Sequence, residues 1–495
     1  MDKKASDLVP TGVTGLDEIL FGGLPRHRQY LVEGMPGSGK TTLALQFLLE
    51  GRRRGEKCLY ITLSETKQEL EDVAASHGWT LEGIELYELE AAESRIRPED
   101  EYTVFLPEEV ELSETMREVY GLVERLSPMR TVFDSLSELR LLARDPLKYR
   151  RQILGIKQFF AGRGCTVLLL DDKSVTDGNL QLQSIAHGVI SLDRLGQEYG
   201  VSRRQLRVVK LRGAHYRDGY HDYAIETGGL RVYPRLVAAE HRADHSNPVL
   251  SSSITELDAL LGGGIHAGTS TLIVGPAGTG KSTFAGIYLR ALAAKGLRGV
   301  AFIFEETRQT YLNRMAGLSQ SLTEGIAEGR IVIQQVDPAE LSPGYFLQVI
   351  REEVEQRGTR LIIIDSINGY LNAMPNEHFL TIQLHELLSY LAEKDVATLL
   401  ISTQHGLIGT MKSPIDISYL ADTVVLLRFF ELNGSVKKAI SVLKHRQSGH
   451  EETIRELKMD PTGMHIGKAL TSFHGVLTGT PVYTGGEQGL LKEME

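Results

Sequence analysis

Residues 16–41 read LDEILFGGLPRHRQYLVEGMPGSGKT, and residues 257–282 read LDALLGGGIHAGTSTLIVGPAGTGKS. In each stretch an apolar run enters the pattern G-x-x-x-x-G-K-[ST], and a segment with helical apolar periodicity follows. A strand, a glycine-rich turn and a helix in this order are the context in which the pattern binds phosphate. The two stretches align without a gap from Leu16 and Leu257 onward, so the chain contains this unit twice.

Further matches follow in the same order along the two halves of the chain. The matched pairs are Glu65 with Glu306, Asp134 with Asp365, and Lys210 with Lys444. Each copy is long enough to form a complete domain and far longer than the repeat of a solenoid. We therefore predict two tandem domains, at residues 1–240 and 241–495, joined near the polar, proline-containing segment 237–250.

The composition is typical of a soluble globular protein. The chain has 495 residues, of which 42% are hydrophobic and 24% charged. With 54 Lys and Arg against 64 Asp and Glu, the net charge is −10, so overall charge does not favour binding to nucleic acid or to anionic membranes. The first residues, MDKKASDLVP, lack the apolar segment of a secretory signal, and no apolar run approaches a membrane span. We expect a cytoplasmic protein.

Cysteine and histidine patterns give no indication of a transition-metal site. Cys58 and Cys165 are too few for a zinc ribbon or a disulfide framework, and each precedes an apolar run. We expect both to be small buried side chains. The histidines form no recognised metal-binding motif, so Mg²⁺ is the only metal that the sequence supports.

Apolar runs and helical segments alternate along each copy. In the second copy, residues 269–275, 299–306, 360–366 and 396–404 are predicted strands, and residues 284–296 and 378–395 are predicted helices. Strands that are apolar on both faces and separated by helices form mostly parallel sheets with helices on both sides. The sequence therefore predicts two α/β domains with mostly parallel sheets, with ligands at the carboxyl ends of the strands.

Each phosphate loop is expected to hold the phosphates of ATP. Its main-chain N–H groups and the following helix N-terminus converge on an anion, while Lys40 or Lys281 reaches the β- and γ-phosphates. Thr41 and Ser282 are predicted ligands of Mg²⁺. The predicted loop residues are Gly37, Ser38, Gly39, Lys40, Thr41 and Thr42 in the first copy, and Gly278, Thr279, Gly280, Lys281, Ser282 and Thr283 in the second.

Carboxylates close the neighbouring apolar runs and are candidates for catalysis. Asp134 and Asp365 follow apolar runs and are predicted to hold the Mg²⁺ shell. Glu65, Glu305 and Glu306 end the next predicted strand, where a carboxylate can position and deprotonate a water or a hydroxyl. Because adjacent residues on a strand point to opposite sides, only one of Glu305 and Glu306 is expected to face the nucleotide. Glu305 is also counted as a magnesium-site residue.

Two cations, two residues apart, recur near the end of each copy. They are Lys210 and Arg212 in the first copy and Lys444 and Arg446 in the second. Residues two apart on a strand share a face, which suits the binding of a phosphate supplied by a neighbouring molecule. A solvated hairpin edge would carry the same pattern, but its repetition favours function.

Together these motifs resemble the KaiC family of RecA-like ATPases over almost the whole chain. The resemblance includes GVTGLDEILFGGLP at residues 12–25. It implies a homohexamer of two stacked rings with ATP between neighbouring subunits, so that the paired cations act on the neighbour's nucleotide. The residues that it places around the base, ribose and phosphates are Lys210, Leu211, Arg212, Tyr216, Lys444, His445, Arg446, Ser448 and His450.

The family also implies that the second ring phosphorylates itself. Its acceptors are an adjacent Ser-Thr pair, and the matching stretch here, SPIDISYLADT, holds Ser418 and Tyr419. A tyrosine hydroxyl lies farther from its Cα than a threonine hydroxyl and cannot take the same position without rearrangement. We expect serine/threonine autokinase activity, with phosphorylation on Ser418 ahead of Tyr419.

The chain departs from the family pattern at two further places. Ser64 replaces the first of the paired glutamates in copy one, so we expect the first ring to bind ATP chiefly for assembly and to hydrolyse it slowly through Glu65. The short carboxyl-terminal tail argues against dependence on the activator KaiA, while a KaiB-like partner remains open. Two alternatives also stay open: a RecA-type DNA-dependent ATPase, which shares the fold, and a scaffold that ATP assembles with little turnover.

Overall fold

The computed structural model of the chain describes two compact units, Met1–Arg235 and Leu236–Glu495. The described residues are 7–89, 107–143, 145–173, 179–196, 201–241, 248–372, 377–404, 418–432, 434–447, 449–476 and 482–483. Leu236 and Ala238, just after the first unit, pack in a hydrophobic cluster of the second. Within the described ranges, no helix is long and apolar enough to cross a membrane.

The first unit contains eleven strands and seven α-helices among its described residues. Its strands are β1 Leu8–Val9, β2 Leu24–Pro25, β3 Gln29–Gly34, β4 Cys58–Thr62, β5 Ile84–Glu88, β6 Arg130–Asp134, β7 Thr166–Asp172, β8 Gly188–Leu195, β9 Arg203–Leu211, β10 His221–Glu226 and β11 Gly229–Tyr233. Its helices are α1 Leu16–Ile19, α2 Lys40–Arg53, α3 Lys67–Ser76, α4 Pro107–Leu126, α5 Leu136–Ala143, α6 Pro146–Phe160 and α7 Asn179–Ile185.

The second unit has a similar order of elements, with an additional helix before β16 and two additional short strands after β22. Its strands are β12 Val249–Leu250, β13 Ile265–His266, β14 Ser270–Gly275, β15 Gly299–Ile303, β16 Ile331–Gln335, β17 Leu361–Asp365, β18 Ala397–Thr403, β19 Thr423–Leu432, β20 Ser435–His445, β21 Arg455–Asp460, β22 Gly463–Ala469, β23 Phe473–His474 and β24 Val482–Tyr483. Its helices are α8 Thr255–Leu260, α9 Lys281–Ala294, α10 Arg308–Gly317, α11 Thr323–Ala327, α12 Pro343–Glu355, α13 Ile367–Asn372 and α14 Glu377–Glu393.

Among the described residues, each unit has one large sheet, and the two sheets have the same topology. The strand orders are β11-β10-β9-β8-β3-β7-β6-β4-β5 and β22-β21-β20-β19-β14-β18-β17-β15-β16. The six strands from β8 to β5, and from β19 to β16, pair in parallel. The remaining three strands add on antiparallel. The predicted α/β fold in two tandem domains is confirmed, as are the strands and helices named for the second copy, except that β15 ends at Ile303 rather than at residue 306.

Successive residues of the central strands pack on opposite faces of the sheet. In β17, Leu361 and Ile363 belong to the cluster that contains α9, whereas Ile362 and Ile364 belong to the cluster on the other face. Each of these side chains is almost fully buried, which contributes about 1.5–3 kcal/mol to folding. The continuous apolar run therefore produces a strand covered by helices on both sides, and its polar residues are confined to the strand ends. Cys58 and Cys165 are buried, as predicted.

Candidate active sites

The two phosphate loops have the same local geometry. The lysine ammonium at the start of α2 or α9 turns back under its loop. The Lys40 Nζ donates to the carbonyls of Gly34 (3.0 Å) and Met35 (3.2 Å), and the Lys281 Nζ donates to those of Gly275 (2.9 Å) and Pro276 (2.8 Å). Each loop is thus curled around the buried ammonium of its own lysine.

Glycine is required at the residue that precedes each helix. Gly39 has a φ of 96° and Gly280 a φ of 103°, which lie in the left-handed region that other residues rarely adopt. The remaining predicted loop residues lie beside these turns. Ser38, Thr42, Thr279 and Thr283 are buried, and the Thr279 hydroxyl donates to the Pro276 carbonyl (2.9 Å). Each loop therefore leads its main chain into the start of a helix, as the sequence predicted.

A hydroxyl and a carboxylate meet beside each loop lysine. The Thr41 hydroxyl donates to Asp134 Oδ2 (3.3 Å), and a side-chain hydrogen bond from Ser282 lowers the pKa of Asp365. Burial outweighs that bond and raises the pKa of Asp365 to about 6. The buried Asp365 Oδ2 accepts no hydrogen bond from the described residues. Oxygen donors of this kind fit a hydrated Mg²⁺, because the ion prefers carboxylates, hydroxyls and water.

In the second unit the paired glutamates turn in different directions. They lie in the bend after β15, which ends at Ile303, rather than in the strand itself. Glu305 accepts a short hydrogen bond from the buried Ser366 hydroxyl. Glu306 accepts two hydrogen bonds from the Arg314 guanidinium (2.8 and 2.7 Å). Arg314 thus engages Glu306, while Glu305 stays exposed beside the residue that follows Asp365.

The charges of the second site influence one another. Burial lowers the pKa of Lys281 to about 8, and the nearby Asp365 and Glu305 carboxylates oppose this shift. Lys281, Ser282, Asp365 and Glu305 are therefore brought together, whereas the Glu306 carboxylate is held by Arg314. Ser366 and Arg314, which position the two glutamates, were not identified from the sequence. The sequence shows a serine after Asp365, but it does not show that the hydroxyl of this serine binds Glu305.

The first unit has a different set of groups around the equivalent carboxylates. Val73 stands where the second unit has Arg314, since both occupy the same place after the N-cap residues Thr66 and Thr307. Glu65 Oε2 is buried and receives no hydrogen bond from the described residues. Burial, followed by the charges of Asp134 and Glu69, raises the pKa of Glu65 to about 7.

Tyr60 and Asp172 complete the first site, and neither was identified from the sequence. The buried Tyr60 hydroxyl donates to Asp134 Oδ2 (2.5 Å), so Asp134 has two hydroxyl partners. Burial nevertheless raises the pKa of Asp134. Asp172, the last residue of β7, places its Oδ1 2.7 Å from Lys40 Nζ. The run VLLLDD at residues 167–172 could have indicated a carboxylate at this strand end.

The paired cations bind main-chain carbonyls within their own units. Lys210 and Arg212 donate to Gln183 and Ser184 at the end of α7. Lys444 donates to the carbonyls of Ser418 (3.0 Å) and Ala421 (2.6 Å), and Arg446 donates to that of Tyr419 (3.1 Å). The lysines lie in β9 and β20, but Arg212 and Arg446 lie just after these strands end. The two cations of each pair nevertheless donate hydrogen bonds to main-chain carbonyls of the same segment.

The other residues expected around the nucleotide base are spread over different environments. The Leu211 side chain packs in the hydrophobic core of the first unit, and the Tyr216 hydroxyl donates to the Val209 carbonyl (3.5 Å). His445 lies between His266 and His450, at ring-centroid distances of 5.9 and 6.1 Å. Ser448 lies outside the described residues.

The candidate phosphorylation pair lies in a turn directly before β19. The Tyr419 side chain is 55% exposed. Its main-chain carbonyl and that of Ser418 are held by Arg446 and Lys444, so the second pair of cations and the acceptor segment form one structural group. Residues 405–417, which precede this turn, lie outside the described residues.

Comparison with known proteins supports one family for both units. The family model described as KaiC ATPase matches residues 9–237 and again residues 250–471. The circadian clock protein KaiC3 of Synechocystis sp. is 27% identical over 485 residues, covering 96% of this chain and 94% of that protein. The circadian clock oscillator protein KaiC of Synechococcus elongatus is 26% identical over 480 residues, covering 95% and 91%. The KaiC of Thermosynechococcus vestitus is 26% identical over 483 residues, covering 96% and 91%.

Proposed function

Because the chain belongs to the KaiC family of ATPases, we propose that both units bind Mg·ATP and that the second unit both hydrolyses ATP and phosphorylates its own chain. The observation that carries this proposal is the grouping of Lys281, Ser282, Asp365 and Glu305, with Glu305 oriented by Ser366. A phosphate-binding cation, a magnesium-type oxygen pair and a candidate base are the parts that phosphoryl transfer requires.

The residues of the second site would divide the chemistry among them. The loop N–H groups and Lys281 would bind the phosphates, while Ser282 and Asp365 would hold Mg²⁺, which would neutralise charge on the β- and γ-phosphoryl oxygens. Glu305 would accept a proton from the attacking water. The water oxygen forms a bond to the γ-phosphorus, the bond from that phosphorus to the bridging oxygen breaks, and ADP and inorganic phosphate result.

The same site would phosphorylate a hydroxyl in place of water. The acceptor oxygen of Ser418 or Tyr419 then attacks the γ-phosphorus, Glu305 accepts the hydroxyl proton, and ADP leaves. Tyr419 is exposed, and Lys444 and Arg446 donate hydrogen bonds to the main-chain carbonyls of this pair. Both observations support an acceptor segment that is fixed in place and accessible to the nucleotide. We propose Ser418 as the principal acceptor.

The first site is proposed to serve mainly assembly. Ser64 stands where the second unit has Glu305, so the candidate base of the second site has no acidic counterpart in the first. We therefore propose that Glu65 supports only slow hydrolysis and that ATP bound by the first unit serves formation of a homohexamer. Since relatives of the chain are named circadian clock proteins, we propose that the ring acts as a timing or signalling switch, with a KaiB-like protein as a candidate partner.

The direct test is to incubate the full-length protein with Mg·ATP and to map phosphopeptides by mass spectrometry. Lys281→Ala, Ser418→Ala and Tyr419→Phe are measured beside the wild type, and ADP release is recorded in the same samples. Phosphate on Ser418 that is lost with Lys281→Ala supports an autokinase. Release of ADP without any phosphopeptide would reject the kinase and retain the ATPase, and absence of both would reject the proposed function.

A further inference from the structure

The phosphate-loop lysine of the first unit forms an ion pair with a residue whose counterpart in the second unit is not acidic. The Lys40 Nζ lies 2.7 Å from Asp172 Oδ1. In the sheet, Asp172 pairs with Gly34, the first residue of the phosphate loop. The equivalent partner of Gly275 in the second unit is Thr403. One loop lysine therefore faces a carboxylate where the other unit offers a neutral hydroxyl residue.

Asp172 is oriented toward the loop because its neighbour occupies the other side of the strand. The Asp171 carboxylate is fully buried and accepts hydrogen bonds from Arg140 (2.6 Å) and Ser137 (2.9 Å). Since adjacent strand residues point to opposite faces, Asp172 points away from that pair. Its side chain is 45% exposed, whereas the Lys40 side chain is only 9% exposed. The carboxylate thus lies on the open side of a buried ammonium.

That position is the one where a bound phosphate would meet the lysine. A phosphate-loop lysine acts on the β- and γ-phosphates, so an Asp172 oxygen in contact with Lys40 Nζ competes with a phosphoryl oxygen for the same donor. The carboxylate also repels the terminal phosphate, whose charge is absent from a diphosphate. Asp134 and Glu65 add negative charge nearby, since both interact with Lys40.

We propose that Asp172 is a specificity-determining residue of the first site, which competes with the terminal phosphate for Lys40 and so disfavours nucleoside triphosphates relative to diphosphates. This inference rests on the proposed function, in which the first site binds nucleotide. The second site, with Thr403 at the equivalent position, does not carry this bias. The two sites of one chain would then differ in the ratio of their ATP and ADP affinities.

The test exchanges the two residues in the full-length protein. Lys281→Ala first removes the second site, and affinities for Mg²⁺ with a non-hydrolysable ATP analogue and with ADP are measured by calorimetry, with and without Asp172→Thr. We expect the exchange to strengthen analogue binding by about tenfold, the effect of removing one nearby like charge, and ADP binding by less than about threefold. The reciprocal variant Thr403→Asp, in a Lys40→Ala background, should weaken analogue binding to the second site by a similar factor.

The outcomes separate this inference from the function on which it rests. Equal changes for the two nucleotides, or weaker analogue binding with Asp172→Thr, would overturn the inference while leaving nucleotide binding intact. Weaker binding of the analogue would instead indicate that Asp172 helps to hold Mg²⁺. Failure of the first site to bind either nucleotide would overturn the proposed function and the inference together. If Asp172→Thr does not fold, the reciprocal variant decides, and an unchanged affinity ratio there rejects the proposal.

Discussion

Glu305 and Glu306 are neighbours in sequence with different surroundings, and the difference assigns them different tasks. Glu305 accepts a hydrogen bond from Ser366, the residue after Asp365, whereas Glu306 is bound by both arms of the Arg314 guanidinium. Both oxygens of the Glu306 carboxylate are already engaged by Arg314 and are therefore less available to a water or a hydroxyl. Glu305 is therefore the better candidate base.

We predict that Glu305→Gln lowers ATP hydrolysis by the second site at least about 100-fold, because the amide cannot accept the proton of the attacking water. The matched control is Glu306→Gln, for which the loss should stay below about tenfold. ADP release is measured in a Glu65→Gln background, which removes hydrolysis by the first site and leaves Lys40 and ring assembly intact. Equal losses for the two variants would contradict the assignment.

The first site should respond to pH through Glu65. Burial raises the pKa of this carboxyl to about 7, so it is largely protonated below that pH and cannot act as a base. Hydrolysis by the first site, measured in Lys281→Ala protein, should therefore rise as the pH increases through about 7 and then level off. Glu65→Gln should remove this step from the profile.

Val73→Arg tests the role of Glu65 in this pH dependence with a second variant. It would place a guanidinium where the second unit has Arg314, next to the equivalent carboxylate. The positive charge should lower the pKa of Glu65 and move the rise in activity to lower pH. A profile that does not move with this substitution would show that another group controls the pH dependence.

At the scale of elements, the phosphate loop depends on the close approach of two strands. A Cβ placed on Gly275, at the end of β14, would lie 2.4 Å from the main-chain oxygen of Leu427 in β19. Because a main-chain oxygen cannot rotate away as a side chain can, the two strands would have to separate. This glycine is required by the approach of a neighbouring strand rather than by its own backbone angles.

Gly275→Ala should accordingly lower the free energy of unfolding by about 1–3 kcal/mol and weaken nucleotide binding to the second site. Gly317→Ala is the control, since a Cβ there meets no atom within 4 Å and the residue ends helix α10. That control should be neutral or stabilising by up to about 1 kcal/mol. Denaturant unfolding and nucleotide calorimetry measure both effects, and equal stability of the two variants would contradict the argument.

At the scale of the whole molecule, the two units share one topology but differ around their phosphate loops. The first unit has Ser64, Val73 and Asp172 where the second has Glu305, Arg314 and Thr403. Ser64 removes the candidate base, Asp172 is proposed to oppose the binding of a triphosphate, and Val73 leaves Glu65 without the cationic partner that Glu306 has. One chain therefore carries two versions of the same site, which is consistent with a division between assembly and catalysis.

Ring assembly should depend more on the first site than on the second. We predict that wild-type protein with Mg·ATP forms hexamers, that Lys40→Ala shifts it toward smaller species, and that Lys281→Ala leaves most of it hexameric. Ligand that binds only between subunits stabilises the assembled state by mass action. Light scattering coupled to size-exclusion chromatography measures this, and Lys40→Ala protein that assembles like the wild type would reject the division of labour.

Local pattern was enough to predict the fold and to select candidate residues for each site. The internal repeat, the apolar runs and the two phosphate-loop motifs predicted two α/β units, because strand burial, helix periodicity and glycine turns are properties of short segments. The sequence also allowed the selection of Lys281, Ser282, Asp365 and Glu305, since the carboxyl ends of parallel strands meet at one edge of a sheet.

The partners that orient those groups became apparent only in the tertiary structure. Arg314 on Glu306, Ser366 on Glu305, Tyr60 on Asp134 and Asp172 on Lys40 join side chains from different elements. Strand order and helix packing decide which of these side chains meet, and a sequence pattern does not encode such distances. The sequence thus determined the fold and the candidate residues of each unit, whereas the packing of its elements determined which carboxylate is held, which is exposed and which contacts the loop lysine.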